Sequence, residues 1–212
     1  MTSSQTNHTA PGDWDAFLEA TMARPPRDTL LRAMEAFGAP GHAAARAADL
    51  GAGAGNETLA LLHAGWCVDA FDTHAPALDL IQRRALDAGR GDQLTTHPQS
   101  IHDARPGRAM YNLVHAGFAW PFVPPEQFNP AWHRWRGAVR PGGVFSGELF
   151  GVRDSWNDPG GMPLTFHTDE QVALLLDGLD LLHFEAVERD GTTALGTSKH
   201  WHVFHFVGRV PS

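Results

Sequence analysis

Cysteine is all but missing from this 212-residue chain, with Cys67 the single example. No intramolecular disulfide can form, and a thiol inside the apolar run Trp66–Phe71 reads as a structural one. Lysine is as scarce. Of sixteen lysines and arginines only Lys199 is a lysine, and because arginine serves equally well on a solvated surface, the survivor points to a place that needs a compact ammonium. Basic blocks are absent and the net charge is −8, so there is no electrostatic footprint for tracking nucleic-acid phosphates. No apolar run reaches the length of a membrane span, and residues 1–12 lack the apolar core of a secretory signal. These absences make a cytoplasmic protein, binding neither nucleic acid nor membrane, the expectation. Oligomeric state stays open.

What is present is organised around Asp49-Leu50-Gly51-Ala52-Gly53-Ala54-Gly55. An apolar run, Ala43 to Leu50, enters three glycines at alternate positions, and Asn56–Leu62 continues with helical apolar spacing. Strand, glycine turn and helix in that order form the setting in which a Gly-rich stretch holds a nucleotide-like ligand. Glycine lets a ligand approach the backbone, and the unpaired N–H groups of the helix start point into the turn. A dinucleotide fingerprint reads G-x-G-x-x-G and binds pyrophosphate. Here the spacing is G-x-G-x-G, and Asp49 stands where it would repel a pyrophosphate but attract an ammonium. Asp72 closes the next apolar run, where an acid accepts hydrogen bonds from both ribose hydroxyls. An ammonium and a ribose without a phosphate describe S-adenosylmethionine.

These residues, together with Arg140-Pro141-Gly142-Gly143 before a later strand, resemble the class I S-adenosylmethionine-dependent methyltransferases. The stretches Phe118–Phe122, Leu149–Trp156 and Lys199–His205 resemble a small-molecule branch near the tellurite-resistance-type methyltransferases. The resemblance covers residues 14–209. It implies a Rossmann-like sheet with strand order 3-2-1-4-5-7-6, an N-terminal helical lid over the cofactor at residues 13–38, and adenine contacts at Ser100 and Ile101.

Along the chain, residues 1–12 are polar and read as a disordered tail; the rest, 13–212, forms one domain. Helices are expected over Trp14–Met22, Arg27–Phe37, Glu57–His63, Pro76–Ala88, Phe128–Val139 and Thr168–Leu176. Strands are expected at 43–50, 66–72, 94–97, 111–116, 144–150, 180–189 and 201–210. Alternation of the two predicts an α/β protein with a single doubly wound sheet of seven strands and helices on both faces. The last two strands have no helix between them, so the seventh must run antiparallel.

Ligands of such sheets lie beyond the carboxyl ends of the strands. This places Asp49, Gly51, Ala52, Gly53, Gly55, Asp72, Thr73, Ser100, Ile101 and His115 as the cofactor set. The loops after the fourth and fifth strands are rich in large apolar groups, an expected aromatic-walled pocket for the acceptor. Its candidate residues are Phe118, Trp120, Phe122, Arg153, Trp156, Phe166, His167, Lys199 and His200, with Met162 and Asp154 nearby. His200, with His115 as second choice and Lys199 beside it to keep the imidazole neutral, is the candidate base. His200 and His202 share one face of a strand and His205 the other, so no metal site is expected, and His202 and His205 read as core histidines. The function expected is methyl transfer from S-adenosylmethionine to a small molecule through an O, N, S or heavier chalcogen nucleophile. The alternatives are a non-catalytic S-adenosylmethionine-binding sensor and a nicotinamide-dependent oxidoreductase.

Overall fold

The structure is a computed structural model that describes residues 13–39 and 45–212. The tail expected over 1–12, and the start of the first expected strand, lie outside the described residues. Among the described residues eight strands occur in chain order: β1 (Arg46–Leu50), β2 (Cys67–Phe71), β3 (Leu94–His97), β4 (Tyr111–Ala116), β5 (Val139–Gly151), β6 (Phe166–His167), β7 (Asp180–Thr192) and β8 (Ser198–Arg209). Six α-helices accompany them: α1 (Trp14–Thr21), α2 (Asp28–Phe37), α3 (Asn56–His63), α4 (Ala75–Asp87), α5 (Pro125–Ala138) and α6 (Asp169–Leu176). The sheet order is β3-β2-β1-β4-β5-β8-β7, with β8 antiparallel to both its neighbours. This is the expected path of a Rossmann-like sheet. The two-residue β6, which pairs with the end of β5, makes eight strands instead of seven.

Local chemistry sets most boundaries. Thr168 caps α6 through a reciprocal capping box with Gln171, which satisfies two otherwise unpaired N–H groups. Helix α5 starts at Pro125, three residues earlier than the apolar spacing predicts, because proline at the first helical position brings its φ already set. Arg140–Gly143 is not a free turn. Val139 pairs with Tyr111 and Val144 with Leu113, and Gly142 and Gly143 bond to Val210 at the sheet's end, so the segment bulges within β5.

The two sheet faces carry separate cores. Trp120, Trp132, Trp135, Phe145 and Phe206 are buried on one side under α5. Leu30, Ala33, Trp66, Val144 and Val207 are buried on the other, under α2 and α3. Strand alternation therefore divides β8: His202, Phe204 and Phe206 face α5, while Trp201, Val203 and His205 face the α2 side. Among the described residues no helix is long and apolar enough to cross a membrane.

Candidate active site

A cavity of about 810 Å³ opens at the carboxyl ends of the strands. Its first end is the glycine turn. Gly53 has φ +50° and a Cβ built there meets nothing nearer than 3.9 Å, whereas one on Gly55 would strike Ile81 at 2.5 Å. Gly53 thus faces the cavity, and Gly55 lets α3 lie close to α4. Asp72 lines the same end. Its two carboxylate oxygens accept the backbone N–H groups of Gly53 and His74, each at 2.8 Å, and lone pairs remain for further donors. Thr73, Ser100 and Ile101 also line the cavity, and Ser100 Oγ donates to Asp103 at 2.7 Å.

Asp49 stands elsewhere than expected. It is 1% exposed behind the turn, away from the cavity wall, and accepts from Thr58 Oγ1 at 2.6 Å. Burial, with the charge of Glu57 added, pushes its carboxyl up to about 7 against the pull of Thr58. Ala52 and Gly55 likewise support the turn without lining the cavity.

Sequence reasoning expected a lid over residues 13–38 but did not single out its two arginines or the carboxylate of the polar floor. Arg24 Nη2 donates to both oxygens of Glu57 at 2.8 and 3.0 Å, and the Arg27 N–H adds a bond to Glu57 at 3.0 Å. This clamps the α1–α2 connection onto the start of α3. Both arginines line the cavity, and both have a buried Nε without a partner. The Arg27 guanidinium lies 4.2 Å over the Phe118 ring, and burial holds its pKa below the usual value. Two arginines flanking the Pro25-Pro26 break were the available sign. Helix α1 covers this end with Trp14, Phe17 and Leu18, pinned by Asp15 to His74 at 2.9 Å.

The second end of the cavity is aromatic. Phe118, Phe122, Phe150, Trp156, Met162 and Trp201 line it. Phe118 takes a left-handed backbone, φ +56°, held by its N–H donating to Glu148 Oε2 at 2.9 Å. Non-glycine residues rarely occupy that region. Glu148 is 1% exposed, accepts Thr29 Oγ1 at 2.6 Å and stands 3.4 Å from His205 Nδ1. A carboxylate in the mostly apolar run Val144–Phe150 was its sign in the sequence. His205, expected in the core, lines the cavity instead, because its face of β8 is the one turned toward α2.

Several expected acceptor residues lie outside this cavity. Trp120 is fully buried against Phe128, Trp132 and Phe145, since the tight 3-10 turn at 120–122 turns it inward and Phe122 outward. His167 packs on Phe128, and burial lowers its pKa to about 4. Phe166 forms a second row, stacked on Phe150. Arg153 is on the surface, paired with Glu188 at 2.8 Å. His115 is wholly buried behind Gly117, its Nδ1 3.0 Å from Ser146 Oγ and its Nε2 without a partner; burial lowers its pKa.

Lys199 and His200 also differ from expectation. Lys199 Nζ pairs with Asp154 behind the aromatic wall, 3.9 Å from the Trp156 ring and 4.6 Å from that of Trp201. His200 points to the opposite side of the strand, 2.7 Å from Asp190 and 3.4 Å from Glu188. Those carboxylates raise its pKa, so the expected lowering by Lys199 does not occur.

Residues 47–143, from β1 into β5, match a methyltransferase domain family. Over that stretch the chain is similar to this family. The cofactor of that family is S-adenosylmethionine. Among solved structures, TehB from Haemophilus influenzae is similar with a TM-score of 0.68 and 14% identity; the match covers 80% of this chain and 58% of that one, so the present chain spans less than two thirds of its length. The 1,6-didemethyltoxoflavin-N1-methyltransferase of Burkholderia thailandensis, solved with 1,6-didemethyltoxoflavin and S-adenosylhomocysteine, gives 0.62 and 19% over 94% of this chain and 80% of that one. Geranyl diphosphate C-methyltransferase from Streptomyces coelicolor A3(2), solved with Mg2+, geranyl diphosphate and S-adenosylhomocysteine, gives 0.59 and 13% over 84% and 76%. Comparison with curated protein sequences found no match. At these identities the neighbours of the methyltransferase domain establish its fold, and their acceptors remain their own.

Proposed function

We propose that this protein binds S-adenosylmethionine at the glycine-turn end of the cavity and moves its methyl group to a small acceptor held at the aromatic end. The observation that carries this reading is the continuity of one cavity from Gly53 and Asp72 to Phe118, Trp156 and Trp201. Its residues fit the cofactor: the open side of Gly53 is a cradle that a side chain would fill, and the buried, unpartnered Nε atoms of Arg24 and Arg27 await an acceptor. Asp72 would take the ribose hydroxyls, and Ile101 with Ser100 would flank the adenine. Arg24 or Arg27 would meet the carboxylate of the methionine moiety, and Asp49 would lend its field to the ammonium from behind the turn. Helix α1 serves as the lid.

When bound, S-adenosylmethionine supplies the electrophilic methyl carbon. The chain's contribution is then mostly alignment, which provides roughly 7–11 kcal/mol in well-oriented reactions. Phe118, Trp156 and Trp201 offer flat apolar faces, and the two N-terminal arginines keep the roof closed against water. A flat acceptor is compatible with this wall.

Calorimetric titration tests the cofactor assignment, with S-adenosylhomocysteine as ligand and NADH as the counter-titrant. The expected result is saturable binding of the first alone. Labelled methyl from S-adenosylmethionine should then appear in a small product when phenols, heteroaromatic amines and thiols are offered. No binding of S-adenosylhomocysteine, or label confined to macromolecules, overturns the proposal.

A further inference from the structure

Three histidines line the cavity among the described residues, and they differ in what holds them. His74 is engaged by Asp15 under the lid, and His102 sits 3.7 Å from Asp103 beyond the adenine end. Only His205 stands among the aromatic rings, edge-on to Phe118 at 6.0 Å. Glu148 is 3.4 Å from its Nδ1. A carboxylate in that position keeps the ring proton on Nδ1, leaves Nε2 as the basic nitrogen and stabilises the imidazolium once it forms. The separation is loose for a hydrogen bond, as such contacts often are before a substrate binds.

The carboxylate is built to stay ionised. Burial pushes Glu148 up, but the interaction with His205, the charges of His115 and Arg27, and the Thr29 hydroxyl outweigh it and bring the group to about 2. Its other oxygen fixes the backbone of Phe118. One buried group therefore sets both the nitrogen and the ring against which an acceptor would lie. The panel continues with Phe150, Trp156 and Trp201, whose ring centroids are 5.9–6.1 Å apart.

Resting on the methyl-transfer reading above, we propose that His205, held by Glu148, is the catalytic base, and that the acceptor is an aromatic hydroxyl compound, a phenol or hydroxylated heterocycle, lying against Phe118, Trp156 and Trp201. The hydroxyl proton passes to His205 Nε2. The oxygen lone pair forms the new O–C bond, and the electron pair of the breaking C–S bond stays on sulfur, leaving a neutral thioether. His205 then returns the proton to water. The charged groups around the imidazole are Glu148 on β5, Glu185 directly opposite on β7 and itself 3.9 Å from His183, Arg27 before α2, and Arg189 at the cavity wall. The two arginines favour a phenolate.

The probe is 4-nitrophenol, which ionises near neutral pH and absorbs in the visible only as the phenolate. It is titrated at pH 6 into protein saturated with S-adenosylhomocysteine. The bound probe should show a phenolate fraction several-fold above that of free probe at the same pH. His205→Phe keeps a ring against Phe118 and should bind the probe with that excess lost; His205→Gln serves if the first variant does not fold. An undiminished excess in the variant, no excess in the wild type, or no probe binding to the loaded protein overturns the proposal. Failure of S-adenosylhomocysteine itself to bind removes the cofactor reading instead, so the two failures are separable.

Discussion

Lys199 and Asp154 form an ion pair with both side chains at 0% exposure, directly behind the aromatic wall of the cavity. Asp154 also accepts the backbone N–H groups of Trp156 at 3.0 Å and His202 at 3.2 Å. The pair therefore joins the loop after β5 to β8 and backs the rings that line the cavity. Burial pulls the lysine pKa down and Asp154 draws it part of the way back.

Removing one partner leaves the other charged and dry. Lys199→Met is expected to cost about 3–5 kcal/mol in urea unfolding, the usual penalty for breaking a buried pair. Adding Asp154→Asn should recover part of that loss, because a neutral amide oxygen still accepts from Trp156 and His202. Affinity for S-adenosylhomocysteine should hold in both variants, since neither residue lines the glycine-turn end. A stability loss below about 1 kcal/mol in the single variant would contradict the burial of this pair.

Asp72→Ala should weaken S-adenosylhomocysteine binding at least tenfold, as charge-assisted hydrogen bonds are each worth about 1.5–3 kcal/mol. Gly53→Val should be worse, because the new side chain enters the cavity from a backbone that tolerates it poorly. Calorimetry reads both. Unchanged affinity in Asp72→Ala would place the ribose elsewhere.

Asp49 gives a pH signature. Its folded-state pKa, about 7, lies above the ordinary 3.8, so the fold prefers the protonated acid. Stability from this group is full below pH 3.8 and is lost as pH rises toward 7. Asp49→Asn should therefore stabilise the ligand-free protein by about 1–3 kcal/mol at pH 8 and change little at pH 4. Denaturant midpoints at the two pH values decide it; equal shifts would show that the carboxyl is not perturbed. The same variant should bind S-adenosylhomocysteine more weakly.

His200 is expected to matter for stability and not for turnover. Its pKa is raised by Asp190 and then Glu188, so its contribution is complete below pH 6.5 and fades as pH climbs through the raised value. In His200→Asn the melting temperature should lose this drift, with cofactor affinity and methyl transfer preserved. A selective fall in rate would restore His200 as a candidate base.

Much of the glycine-turn end was legible because its determinants are local. Three glycines between a strand and a helix, with Asp72 closing the next strand, need only spacing and backbone geometry to be read. Asp49 shows the limit of that reading: its position in the chain was clear, but whether it faced the ligand depended on how α3 packed over it. At the other end, the aromatic content of two loops was a sign of an apolar wall, and Phe118, Phe122 and Trp156 line the cavity. Trp120 belongs to the same loop and went into the core, since one tight turn sends neighbouring side chains in opposite directions.

The sequence by itself determined the alternation of strands and helices, the antiparallel last strand, and the opposite facing of His202 and His205. These follow from periods of 2 and 3.6 residues and from the absence of a connecting helix. Only the tertiary structure decided which face of β8 borders the cavity, because that depends on where α1 and α2 settle. It also brought Thr29 to Glu148 across 119 residues of chain, set Glu148 beside His205 from the neighbouring strand, and drew Arg24 and Arg27 onto the first turn of α3. Such contacts arise from packing distant segments around a buried charge that must find donors, and no local pattern records which donors it will find.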